Sequence, residues 1–465
     1  MLTQRGVRLK RPGSSSSPPA GGGGVASTVA EESTHPLDHS RDLSEVMGRI
    51  FDSGDACDFL IVVRSSDEDV SQTVCAHKMI LSPFQPFNVS EGSESITISI
   101  SRPCLQHFTT FVRYLYTRKV NTSSSSVQCL HWMASRFGAK QLMEDTGRLF
   151  VEVMPQDPSF QTQLSLYDYA TEMGDLLMQE NCVRYLAWNY QNLTTSPAWT
   201  RLSVQLLQTL LQRADLVVPD EYFVLQSVET WIRETGKSTS LETQAQLLSH
   251  VRFPMISAER LFHLETVSPL YSAHQGLYKE KMLKALQFNL LLFNQIQASP
   301  AFHKEDPDYQ TRIYTAKPWS VVIHPSDKVQ EQVVFRGNGR VSTLGYYSHT
   351  IAASMVTPVH NSLIFQKDKL RWEASLLRRH QDCSHAGLSC PSLPMARLKT
   401  QSAVSTPQVV FQNRLLLMCR GSYVCQVQDF KNAVSPLTMD GVYKVAYPCP
   451  GDQYTFQYVV RPQYV

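Results

Sequence analysis

Cys57-Asp58-Phe59-Leu60-Ile61-Val62-Val63 and, a little further on, Val74-Cys75-Ala76-His77-Lys78-Met79-Ile80-Leu81 decide how the front of this chain folds. Phe59 to Val63 is a short unbroken apolar run rich in β-branched side chains, which reads as a buried strand. Val74 to His77 reads as a second strand that passes into a helix. Ile96 to Ile100 alternates apolar and polar, as a strand with one wet face does. Downstream the period lengthens. Leu105, Phe108, Phe111, Val112 and Leu115 share one helix face, and Leu130, Met133, Ala134 and Phe137 repeat the pattern. Upstream, Leu43, Val46, Met47, Ile50 and Phe51 form one apolar stripe on a helix over 42–51. The spacing therefore predicts a mixed α+β domain over 41–152, strands early and helices late. A stripe at its leading edge needs a cover, either its own domain or a second copy of the chain.

From 153 to 263 the strand signal vanishes. Leu166, Ala170, Met173 and Leu177 keep helical spacing, as do Val183, Leu186 and Ala187. Leu202, Leu206, Leu207, Leu210 and Leu211 follow, then Val224, Leu225, Val228, Trp231 and Ile232. Asp220 stands near the start of that last helix, where a carboxylate complements the helix dipole. Pro254 interrupts the pattern, and Ser257 is placed to cap a helix through Leu261 and Phe262. This predicts an all-α domain of stacked short helices, with a helical extension over 264–304.

From 305 to 465 the period drops to two. Trp319 to Ile323, Val333 to Phe335, Leu363 to Phe365, Val409 to Phe411, Leu415 to Met418 and Tyr454 to Val460 read as strands. Gly337 and Gly339 read as a hairpin turn. A β-sandwich-like C-terminal domain is expected, and no repeat of propeller length is present.

Lys+Arg number 43 against 41 Asp+Glu, a balance that argues against a dedicated nucleic-acid binder. No apolar run is long enough for a membrane-spanning helix. Residues 1–40, with Ser14 to Ser17, Pro18, Pro19 and Gly21 to Gly24, read as a disordered low-complexity leader. Its basic start lacks the apolar run of a secretory signal, which leaves a cytoplasmic location as the alternative. Ten cysteines and three Asn-x-Ser/Thr sequons, at Asn88, Asn121 and Asn192, point to an extracellular one.

Nothing assembles into an active site. His380, Cys383, His385 and Cys390 have zinc-ligand chemistry, but the spacing matches no standard finger, and a local Cys383–Cys390 disulfide is the better reading. His77 has no nucleophile in a recognisable context. Arg118 and Lys119 follow a helix and are placed to cap it through its dipole. No phosphate loop, metalloprotease or nucleophile-elbow sequence occurs. The chain reads as non-enzymatic, with no cofactor and no metal.

Cys57 to Val63, Ala76-His77-Lys78 and Tyr114-Leu115-Tyr116-Thr117 resemble the BTB/POZ domain. Leu211 to Leu216, Val228 to Trp231 and Arg252 to Ile256 resemble the BACK domain. The stretch from about 34 to 465 is similar to the galectin-3-binding protein family, secreted glycoproteins with this BTB–BACK–β order. Ser44 to Phe51, Pro155 to Gln161, Leu186 to Asn189 and Cys449-Pro450 carry the likeness most specifically.

The resemblance implies a BTB homodimer built on Leu43, Val46, Met47, Ile50 and Phe51, and higher oligomers. It implies glycans at Asn88, Asn121 and Asn192, bound by galectins, with matrix proteins or integrins as further partners in cell adhesion. Galectin binding then needs no protein pocket, because weak sugar contacts on a multimer add by avidity. Cys383–Cys390 and Cys419–Cys449 are implied disulfides, and Cys425 has no evident partner. The family's N-terminal scavenger-receptor cysteine-rich domain has no counterpart in this sequence. The competing reading is an intracellular BTB–BACK adaptor that presents substrates to a cullin ubiquitin ligase.

Overall fold

Three strands, β1 (Phe59–Ser65), β2 (Ser71–Ala76) and β3 (Ser95–Ile100), build a sheet of order β2-β1-β3. Strands β1 and β2 are antiparallel, and β1 and β3 parallel. Burial alternates along β1: Phe59, Ile61 and Val63 point into the core, while Leu60 stays 44% exposed. The unbroken apolar run therefore does not mark a strand covered on both faces. Helices cover one face of this small sheet and leave Leu60 on the other.

The computed structural model describes residues 40–65, 71–90, 92–123, 126–235, 239–291, 293–300, 302–303, 305–327, 350–359, 369–401, 409–437, 445–451 and 453–464. The leader through residue 39 lies outside the described residues. So do the strands expected at Val333 to Phe335 and Leu363 to Phe365, and the turn at Gly337 and Gly339.

Helices Phe108–Thr117 and Val127–Phe137 pack on the sheet with the predicted faces inward, and Phe87 stacks on Phe137 at 4.6 Å between ring centres. The first of these ends at Arg118, which adopts a left-handed conformation (φ 55°) and donates its backbone N–H to Tyr114 O at 2.8 Å. Its guanidinium lies over the Phe84 ring at 5.5 Å. The backbone thus closes this helix end, and the side chain packs back on the domain.

Helix Gln161–Met173 stops at Gly174, whose positive φ of 67° a glycine adopts without strain. Asp175 then starts Leu176–Trp188 by accepting Met178 N–H at 3.0 Å. The period read across Met173 and Leu177 therefore spans two helices, and Leu176 and Leu177 are 75% and 73% exposed. Asp220 caps Glu221–Thr235 through Phe223 N–H at 2.8 Å. Pro254 sits in a single 3-10 turn, as a helix breaker should. Ser257 occupies the N-cap position of Ala258–Val267, but its hydroxyl makes no capping bond.

Among the described residues, the C-terminal region holds two antiparallel four-stranded sheets. One has the order β12-β11-β14-β6, from β6 (Ser320–Ile323), β11 (Arg414–Cys419), β12 (Tyr423–Asp429) and β14 (Tyr454–Val459). The other has the order β13-β9-β8-β7, from β7 (Ile351–Pro358), β8 (Lys369–Leu377), β9 (Met395–Thr400) and β13 (Val434–Pro436). Tyr458 on β14 reaches across and donates to Ser375 O on β8 at 3.0 Å. Strand β10 (Val409–Phe411) pairs with β15 (Pro462–Tyr464).

One core runs without a break from Val127, Phe150 and Met154 through the helices after 160 into both sheets, while the core around the first domain's own sheet forms a separate cluster. A parallel pair joins them, β4 (Val217–Val218) with β5 (Ile313–Tyr314). The boundary expected near 263 to 305 is therefore not a break in packing. Among the described residues no helix is long and apolar enough to cross a membrane.

Candidate interaction surfaces

The leading helix, Ser40–Ser53, carries two stripes side by side rather than one. Ser44, Met47, Gly48 and Phe51 face helix Phe108–Thr117. Ser44 Oγ donates to Thr117 O at 2.6 Å, and Phe51 packs on Tyr116 with ring centres 5.0 Å apart. A Cβ at Gly48 would meet Arg113 and Thr117 atoms at 3.1 Å, so glycine sets how closely the two helices approach. Arg113 clamps the C-terminal end through two 2.8 Å bonds to Asp52 and holds that carboxyl below its usual range. The second stripe, Leu43, Val46 and Ile50, is left 62%, 40% and 37% exposed. Of the five residues expected at a dimer interface, Phe51 is thus buried at home, Met47 is half-buried, and three present an open apolar ridge.

The three sequons have unlike settings. Asn88 and Asn121 are exposed in loops of the first domain. Asn192 lies in the short helix Tyr190–Thr194, half-buried, with its Nδ2 donating to Ser422 O at 2.8 Å.

Eight cysteines pair and two do not. Cys383–Cys390 and Cys419–Cys449 are joined, with Cα atoms 6.0 and 5.3 Å apart. Two further disulfides, Cys57–Cys75 and Cys104–Cys129, lie in the first domain and escaped the sequence reading. The first had a local signal: Cys57 lies two residues before the start of β1 and Cys75 lies on its antiparallel neighbour. The second links helices that only the tertiary fold brings together. Cys182 and Cys425 are free and buried, and burial pushes both thiols up to about 12. The disulfide removes both thiolates from the His380 to Cys390 cluster, and no metal-binding group of side chains occurs among the described residues. His77 has both ring nitrogens engaged, by Tyr116 OH at 2.9 Å and Asp55 O at 3.0 Å. An open groove between the first domain and the helices, lined by Val127, Gln128, Phe150, Gln161, Thr162 and Arg201, gathers no catalytic set.

A buried charged cluster locks the helices to the sheets. Glu221 accepts from Arg312 Nε at 3.0 Å, from Tyr314 OH at 2.8 Å and from Arg252 N–H at 2.9 Å. Arg461 donates to Thr311 O at 2.7 Å and to Ala214 O at 3.3 Å. Burial pulls Arg252 and Arg461 down to about 10.

A sheet-and-helix front domain followed by stacked helices defines a BTB–BACK protein. The BTB/POZ domain family matches residues 47–152, and the family described as BACK, BTB And C-terminal Kelch, matches residues 163–265. Galectin-3-binding protein of Pongo abelii is 35% identical over 463 residues, 95% of this chain and 78% of that protein. Its counterpart in Mus musculus is 34% identical, over 93% of this chain and 76% of that one. The chain belongs to the galectin-3-binding protein family. BTB/POZ domain-containing protein 17 of Xenopus tropicalis is 25% identical over 54% of each chain. Among solved structures, the BTB domain of zebrafish PATZ1 aligns at 20% identity over 25% of this chain and 94% of that one, with a TM-score of 0.20.

Proposed function

We propose that this chain is a secreted, oligomeric, non-enzymatic glycoprotein that mediates cell adhesion by multivalent binding to galectins and matrix proteins or integrins. The likeness to galectin-3-binding proteins over 95% of the chain carries this reading. Four disulfides agree with an oxidising compartment. The exposed ridge of Leu43, Val46 and Ile50 is the self-association surface, packed across a two-fold axis onto its own copy. N-glycans are the galectin ligands, and copies clasped together multiply weak sugar contacts into avidity. BTB, BACK and β regions over 41–152, 153–263 and 305–465, with a helical linker at 264–304, divide the labour between self-association and display.

The test is expression behind a signal peptide, followed by capture on immobilised galectin-3 with and without a β-galactoside competitor. Enzymatic removal of N-glycans should lower the gel mass and abolish capture. The intracellular cullin-adaptor reading draws on the BTB–BACK order alone. It predicts no mass change on glycosidase treatment and ten free thiols, the outcome that would displace the secreted reading.

A further inference from the structure

Two carboxamides one turn apart hold the hairpin between β11 and β12. Asn189 is buried; its Oδ1 accepts Val424 N–H at 2.8 Å and its Nδ2 donates to Val424 O at 3.0 Å. It therefore pairs with the outer strand β12 much as another strand would. Asn192 Nδ2 donates to Ser422 O at 2.8 Å, and the sequon hydroxyl, Thr194 Oγ1, donates back to Gln191 O at 2.8 Å. The nitrogen that would carry a glycan is the nitrogen that holds the hairpin. N-glycosylation joins that nitrogen to C1 of the donor sugar, expels the lipid pyrophosphate and releases one amide proton. At Asn192 the sugar would then have to grow from a half-buried carboxamide whose nitrogen already rests on the exposed Ser422 backbone.

Asn88 and Asn121 are placed differently. Both are exposed, and Asn88 sits in a turn with φ 46°. The Arg118 guanidinium stacks over Phe84, and the chain reaches Asn88 soon after Phe84 and Asn121 soon after Arg118. Both stand in exposed loops of the BTB domain.

We propose that the sugars offered to lectins are confined to exposed loops of the BTB domain, at Asn88 and Asn121, while Asn192 stays unmodified as the clasp between the BACK helices and the β sheets. This rests on the secreted-glycoprotein reading. The full chain, secreted from animal cells behind a signal peptide, is treated with peptide N-glycosidase in heavy-oxygen water and its peptides are weighed. Asn88 and Asn121 become labelled aspartate, and Asn192 remains asparagine. Thr194→Ala, which deletes the sequon and keeps the carboxamide, leaves gel mass and melting temperature unchanged. Asn192→Ala leaves gel mass unchanged and lowers the melting temperature. Label at Asn192 in folded secreted protein, or a faster-running Thr194→Ala band, overturns the inference and leaves the glycoprotein reading standing. Absence of label at all three sites overturns the glycoprotein reading and the inference with it.

Discussion

Glu221 and Arg312 face each other with no exposed side-chain surface, the arginine Nε donating to the carboxylate at 3.0 Å. Glu221 begins a BACK helix and Arg312 leads into β5, so the pair spans the helical and sheet regions. Removing one member of a buried pair leaves the other charge uncompensated. Glu221→Ala should cost about 3–5 kcal/mol in chemical denaturation. Because the core is continuous there, BACK and β regions should lose structure in one transition that both near-ultraviolet and far-ultraviolet dichroism report.

On the proposed reading, the two stripes of the leading helix separate self-association from folding. Leu43→Asp with Ile50→Asp should turn the oligomer into a smaller species by sedimentation and leave the circular dichroism spectrum intact. Phe51→Ala should instead cost about 3–5 kcal/mol of stability, the range for a buried aromatic deletion. An unchanged sedimentation profile for the double aspartate variant would remove this helix from the interface.

Acid should loosen the joint between the BTB domain and the BACK helices. His131 is buried there, with Tyr169 OH 3.0 Å from its Nδ1 and Asp175 3.9 Å from its Nε2. Burial holds its pKa below the ordinary 6.5, against the pull of Asp175. With the folded pKa under the unfolded one, the neutral form is favoured in the fold. Stability is then full above 6.5 and falls as pH drops through that value toward the folded pKa. Each unit of difference costs about 1.4 kcal/mol. His131→Gln should flatten the dependence of the melting temperature on pH between about 7 and 5.

Thiol titration should find two groups per unfolded, unreduced chain, Cys182 and Cys425, and almost none in the native protein because both are buried. Replacing Cys104 and Cys129 together by alanine opens a loop that spans a sequence separation of 25 and should cost about 3.5 kcal/mol. More than two thiols in the unfolded, unreduced chain would contradict the pairing.

What the sequence determined by itself was the order of materials: a short strand-rich front, a helical middle and a β-rich end. Period and burial of near neighbours carry that information, as Phe108, Phe111 and Leu115 on one helix and Tyr454, Phe456 and Tyr458 on one strand illustrate. Only the tertiary structure decided which side of the leading helix faces home, because that depends on the close approach Gly48 allows to Arg113 and Thr117. It alone placed the Asn192 carboxamide on Ser422 O, across 230 residues of chain. It alone joined the BACK helices and the sheets into a single core. Hydrophobic spacing tells a residue that it must be buried; it does not name the distant segment that will bury it.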